Sequence, residues 1–257
     1  DQHARHVARR VGAAIRNEVQ HVRVGLRPGG ALPCDPRDDP GRGPARASRR
    51  IPRRREHAVG SGLVELHAVR YEIDEHVATV WLHRPHRHNA GTGRMHAEYR
   101  QVLATLDATP DVRAVVVTGT PPAFCVGGDV ADPTRTAAEK RHLHTLSHRV
   151  ANAIRNNGKP VIAKVHGYCI GGGNELNVMC DLTLSGESGR FGQAGPKIGS
   201  APLWWGCQLM PSVVGEKKAR EILFLVRQYD AYEAERMGLV NKVVPDDQLD
   251  ALVDEWC

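Results

Sequence analysis

Aromatic residues make up only 5% of the 257 residues, too few to line a basic surface with the stacking rings that a nucleic-acid platform needs. Lysine is absent from the first 55 residues, where 14 Arg stand against 5 acidic residues, a net of +9. The remaining residues hold 21 basic and 24 acidic side chains, a net of −3, so the sequence pI of about 9.1 comes from the first segment. The six cysteines contain no C-x-x-C pair, and Cys125, Cys169 and Cys180 sit inside apolar segments. That argues against a disulfide framework and fits reduced thiols, which sets a cytoplasmic expectation. Apolar runs of membrane-spanning length are missing, as is a secretory signal pattern. Residues 1–62 also lack hydrophobic periodicity after Val24, although His6–Val22 has the pattern of a basic helix. Pro28–Arg55 is rich in Pro, Gly and Arg, and such a stretch cannot bury enough apolar surface to fold alone. The expectation is an unstructured extension over 1–62 and a globular domain over 63–257. A nucleic-acid arm is the weaker reading for lack of aromatics, and Asp35, Asp38 and Asp39 argue against an organelle transit peptide.

The globular part is organised around Pro160–Asp181, P-V-I-A-K-V-H-G-Y-C-I-G-G-G-N-E-L-N-V-M-C-D. Val161, Ile162, Ala163 and Val165 read as a buried strand, and Asn174–Cys180 as a helix entered through Gly171, Gly172 and Gly173. A strand that passes through glycines into a helix start presents free backbone N–H groups with the positive end of the helix dipole behind them. Glu175 falls in the first turn, beside whatever those N–H groups hold. An oxyanion donor next to a carboxylate is equipment for acid–base chemistry at a carbonyl. The same residues also fit a tight turn with a solvated N-terminal glutamate. A second strand-to-glycine turn runs from Val112–Val117 through Thr118-Gly119 to Ala123-Phe124-Cys125-Val126-Gly127-Gly128-Asp129, so the chain can offer two N–H donors to one oxygen.

The remaining pattern predicts an α/β domain. Val69–Ile73 and Val77–Leu82 form a hairpin across Asp74-Glu75. Met95, Tyr99, Val102, Leu103 and Leu106 recur at helical spacing, with Pro110 closing the helix. A further helix starts near Asp132-Pro133-Thr134 and continues through Leu143, Leu146, Val150 and Ile154. After the central strand and helix come Leu182–Leu184, a loop Arg190–Pro196, helices over Glu216–Val226 and Ala231–Met237, and a strand Leu239–Val244. His144 and His148 stand at i, i+4 on one helix with no third ligand nearby, so a solvated face is expected and no metal site.

R-P-x-x-x-N-A at Arg84–Ala90, V-G-G-D at Val126–Asp129 and G-G-G-N-E at Gly171–Glu175 arrive in an order that resembles the crotonase (enoyl-CoA hydratase/isomerase) superfamily, from about Val69 to Cys257. The resemblance implies a spiral of ββα units, with C-terminal helices that cover the acyl pocket and join subunits into homotrimers or hexamers. The chain stops while a helix from Leu249 is under way, so this helical region is expected to be truncated. The resemblance makes Gly128 and Gly172 the oxyanion donors and Glu175 the catalytic carboxylate. It lays a coenzyme A thioester along Asp129, Val130 and Ala131 and near Ala90, with Arg84 and Arg87 as candidates for its phosphates. No cofactor is implied beyond the coenzyme A of the substrate. The second glutamate of the family's hydratases is replaced by Gly195. The loop F-G-Q-A-G-P-K-I-G-S is most like the naphthoate synthase and cyclic oxoacyl-CoA hydrolase branch, in which Gly195 and Ser200 would face the substrate. The expected activity is addition of water to an enoyl-CoA, straight-chain or cyclic. The alternatives are ring-opening hydrolysis, ring closure, and a degenerate scaffold that only binds. Trp204 and Trp205 fit either an acyl-pocket wall or ordinary core.

Overall fold

In the computed structural model, residues 65–130 and 136–257 are described; the expected extension over 1–62 and residues 131–135 lie outside them. Strands β1 (Val69–Asp74) and β2 (Val77–Leu82) form the expected hairpin, with Glu75 turning the chain at φ 49°. The expected strand over Val112–Val117 is β3 (Ala114–Gly119), displaced two residues along. Its first residues are spent on the turn instead, the Val112 N–H donating to Thr109 O and the Arg113 N–H to His76 O. With β4 (Val161–Val165), β6 (Leu182–Gly186) and β9 (Lys242–Val244) these build one six-stranded sheet in the order β1-β2-β3-β4-β6-β9, parallel except for the hairpin.

Both faces of this sheet are covered, which is why its central strands read as unbroken apolar runs. Val115, Val117, Val161 and Ala163 point into the main core beneath helix α1 (Gly93–Asp107) and helix α2 (Ala137–Arg155). Val116, Ile162 and Leu184 point the other way, onto Leu249 and Val253 of α7 (Leu249–Trp256). Helix α1 is tied to the start of β1 by Glu98, whose Oε2 accepts from the N–H groups of His67, Ala68 and Val69 at 3.0, 2.7 and 3.1 Å. Helix α2 opens at a capping box of Thr136 and Glu139, and the expected start at Asp132-Pro133-Thr134 lies outside the described residues.

The chain leaves β4 through Gly167 into β5 (Tyr168–Ile170), then enters α3 (Gly172–Met179). β5 belongs to a second, three-stranded sheet with β7 (Arg190–Gly192) and β8 (Gln228–Asp230), in the order β5-β7-β8. Runs of three residues are too short for periodicity to reveal, and β7 reads in the sequence only as part of a loop. After β7 come a 3₁₀ turn (Gly195–Ile198), α4 (Gly206–Val214), α5 (Glu216–Leu225) and α6 (Ala231–Arg236). α4 has no apparent sequence signal because it opens on Trp204-Trp205-Gly206 and contains Pro211. The expected strand over Leu239–Val244 shortens to β9, because the N–H groups of Leu239 and Val240 both turn back to Ala234 O.

Two bridges, Gly91 to Gly128 and Cys125 to Cys169, lay the Cys125–Gly128 segment between the Asn89–Gly91 loop and β5. α3 is packed so closely beneath it that a Cβ on Gly173 would lie 2.0 Å from Cys125 O. Gly173→Ala should therefore destabilise the fold by about 1–3 kcal/mol, the cost of overpacking, although alanine gains about 1 kcal/mol in an open helix. Denaturant unfolding measures this, and an unchanged or raised midpoint would show that the two segments are not in contact.

Candidate active site

The two glycine turns expected to hold one oxygen meet in space. A Cβ on Gly127, whose φ is +93°, would lie 2.8 Å from the Gly172 nitrogen, so the approach requires glycine there. Gly172 is the first residue of α3, where an N–H has no intrahelical acceptor. Among the described residues nothing accepts from the N–H of Gly172 or of Gly128. Space beside Gly128 is open, with nothing within 4 Å of where its Cβ would be.

Glu175 follows one turn into α3 and is buried to 5% exposure. The Trp204 N–H donates to its Oε2 at 2.5 Å, and the Gly206 N–H also supports the charged form. Both N–H groups belong to the mouth of α4, so the carboxyl sits at a helix N-terminus. Burial nevertheless outweighs these donors and raises its pKa from 4.5 to about 7. A carboxyl that titrates near neutrality both takes and returns a proton, which a fully solvated glutamate does poorly. The solvated-turn reading of Glu175 does not survive this burial.

The loop that supplies Ala90 is held from inside. Asn89, fully buried with φ 57°, accepts from the Arg84 N–H at 2.9 Å and donates to Thr120 O and Ala123 O at 2.8 and 2.6 Å. Arg84 Nη1 donates to Ala90 O at 2.5 Å and to Asp129 Oδ2 at 3.0 Å, and Arg87 Nη2 donates to Asp129 Oδ1 at 3.1 Å. Both candidate phosphate ligands are thus engaged by Asp129, the residue after Gly128. Val130 is 71% exposed, and Ala131 lies outside the described residues.

Gly195 and Ser200 close one small loop, the Ser200 N–H donating to Gly195 O at 2.9 Å. A Cβ on Gly195 would point at Ser200 O, 3.1 Å away, and not into open space. Ser200 is exposed, its Oγ reaching only Ala201 O at 3.5 Å. Gln193 is buried with its amide on Gly171 O at 3.3 Å, bracing the turn before α3.

Three contributions were not legible in the sequence. Trp204 acts through its main chain on Glu175 while its ring covers Gly172, where a Cβ would meet it at 3.1 Å. Gly206 leaves room for the carboxyl, since a Cβ there would lie 3.0 Å from Glu175 Cγ. His96, on the buried face of α1, sets its ring edge-on to Trp204 at 4.7 Å between centroids. Among the described residues no group of three His, Cys, Asp or Glu side chains could hold a metal ion, and His144 and His148 are exposed. No helix among them is long and apolar enough to cross a membrane.

Comparison with known proteins agrees with this architecture. The structure is similar to enoyl-CoA hydratase from Bacillus anthracis at 26% identity, with a TM-score of 0.72 over 74% of this chain and 75% of that one. An enoyl-CoA hydratase of Mycobacterium smegmatis is 32% identical, with a TM-score of 0.70 over 74% of each chain. An enoyl-CoA hydratase/carnitine racemase of Magnetospirillum magneticum is 33% identical, with a TM-score of 0.69 over 75% of this chain and 73% of that one. The enoyl-CoA hydratase/isomerase family profile matches residues 72–257, and the chain belongs to that family.

Proposed function

We propose that this protein adds water across the double bond of an enoyl-CoA, with Gly128 and Gly172 holding the thioester oxygen and Glu175 carrying the proton. The observation that carries this reading is the buried Glu175 carboxyl, one turn along the helix whose first N–H is the unpaired Gly172 donor. In the forward direction the ionised Glu175 takes a proton from water as the water oxygen bonds to the β-carbon. The π electrons move to the thioester oxygen, and the resulting enolate lies against the two N–H groups. Its collapse restores the carbonyl while the α-carbon takes the proton back from Glu175. One carboxyl therefore suffices to shuttle the proton, and Gly195 in place of a second glutamate does not leave the balance open. Electrons stay within the substrate throughout, so the only coenzyme the reaction calls for is the coenzyme A that the substrate brings. Each oxyanion donor contributes about 3 kcal/mol in sites of this kind. The fused turn at Gly195–Ser200 keeps ring-opening hydrolysis and ring closure as alternative outcomes of an assay on cyclic thioesters, and a scaffold that binds without turnover as a third.

Glu175→Gln should lower hydration of crotonyl-CoA at least a hundredfold, about the low end of a general acid–base contribution, and leave thioester binding nearly unchanged. Turnover within a few-fold of the parent would remove Glu175 from the mechanism. Undiminished binding by a parent chain with no turnover on straight or cyclic enoyl-CoAs would establish the scaffold reading instead.

The raised pKa has two further consequences. As the base, Glu175 has to be ionised, so the hydration rate should rise with pH and level off above about 7. The linkage has a definite sign, because the folded protein binds this proton more tightly than the unfolded chain does. The Glu175 contribution to stability is complete below the unfolded value of about 4.5 and is lost as pH rises through about 7. The total is on the order of 3 kcal/mol at 1.36 kcal/mol per pH unit. Unfolding of the parent and of Glu175→Gln at several pH values checks it: the parent should lose stability relative to the variant across that window, and parallel curves would contradict it.

A further inference from the structure

A buried histidine beside the oxyanion turn has no role in the chemistry above. His96 is 4% exposed on α1, and burial lowers its pKa to about 4, so its imidazole is neutral. Its Nδ1 lies 3.3 Å from Ser147 Oγ on α2, and the Ser147 hydroxyl already donates to Leu143 O at 2.9 Å. The one proton of the neutral ring therefore sits on Nδ1 and donates to Ser147, leaving Nε2 as a bare acceptor. Among the described residues Nε2 has no hydrogen-bond partner, yet it is not among the polar atoms sealed from solvent without one. It lies 2.9 Å from where a Gly91 Cβ would be, and Gly91 is bridged to Gly128. The ring also meets Trp204 edge-on, and Trp204 covers Gly172 while its backbone N–H holds Glu175. His96 thus joins the two walls that flank the oxyanion donors, one tryptophan side chain away from the carboxyl that moves the proton.

The geometry points to His96 as a specificity residue whose Nε2 accepts a hydrogen bond from a hydroxyl on the acyl group, beyond the reacting carbons. A polar atom kept at a nearly dry wall costs free energy unless something pairs with it, and a substrate hydroxyl is a suitable donor. With no hydrogen bond to Glu175 and with low basicity, His96 is a recogniser, not a second base. This assignment rests on the acyl-CoA reading above and names the chemistry of the acyl group it would select: one that bears a hydroxyl.

The test is calorimetric binding of saturated thioesters, which need no turnover. Hexanoyl-CoA is compared with the isomers that carry one hydroxyl on C3, C4, C5 or C6. The parent chain should bind at least one of the C4–C6 isomers about tenfold more tightly than hexanoyl-CoA, the scale of one well-placed hydrogen bond. His96→Leu should abolish that preference with little effect on hexanoyl-CoA, and His96→Gln, which keeps an acceptor, should restore part of it. Ser147→Ala frees the ring to place its proton on Nε2 without altering the wall, and should weaken the preference even if the His96 variants do not fold. Equal binding of all the thioesters by the parent, or a preference confined to the C3 isomer, would overturn the inference and leave the acyl-CoA reading standing. Failure of every thioester to bind would overturn both.

Discussion

The site depends on one close contact between backbones, that of Gly127 with the nitrogen of Gly172. A loop glycine and a helix start more than 40 residues apart are brought within van der Waals distance, with no side chain between them. Everything around this contact serves to hold it. The parallel pairing of β3 with β4 brings the two chain segments side by side, and the Cys125–Cys169 bridge continues that pairing past the ends of the strands. Gly173 then lets α3 lie directly beneath Cys125. In the proposed reaction, donors fixed in this way would need no reorganisation when charge develops on a bound oxygen, the general source of such donors' catalytic value.

Glu175 is positioned by the same helix start, but its chemistry is set by a different part of the chain. Its ionisation reflects a competition between burial, which favours the neutral acid, and two N–H donors at the mouth of α4, which favour the carboxylate. Burial wins, but the donors limit its effect, and the group is left titrating near neutrality. A more solvated position would return it toward an ordinary glutamate, and a position without the α4 donors would hold it protonated. The α4 donors also explain why Gly206 follows the tryptophan pair, since any larger residue would strike the side chain that the loop exists to hold.

The sequence made the sheet, the hairpin, the helix after the glycines and the principal site residues legible because each carries a local signature. Apolar runs such as Val161–Val165 mark strands covered on both faces, and G-G-G-N-E marks a helix mouth with an acid in its first turn. What could not be read has no local signature. β5, β7 and β8 are three residues each and are defined only by pairing with one another. The main-chain role of Trp204 is independent of its side-chain type, so no residue pattern reports it. His96 falls at a position that helical periodicity assigns to the core, and only packing reveals that one of its nitrogens is left over. Asp129, Arg84 and Arg87 are candidates for contact with substrate, and the pairing of their charges with one another is hidden in the sequence because more than 40 residues separate Asp129 from the arginines.

That pairing bears on the proposed oxyanion site. Asp129 is adjacent in sequence to Gly128, and a bare carboxylate there would oppose the negative charge that the proposed reaction brings to the thioester oxygen. Arg84 and Arg87 meet the two oxygens of Asp129 from the same loop and bring two positive charges to one negative charge. Arg84 also fixes the Ala90 carbonyl, so one side chain takes part both in the neutralisation and in positioning the loop. The R-P-x-x-x-N-A segment therefore acts on the site through backbone geometry and through field. Asn89 locks the loop, the loop presents the arginines, and the arginines leave the turn that ends in Gly128 free to receive an anion.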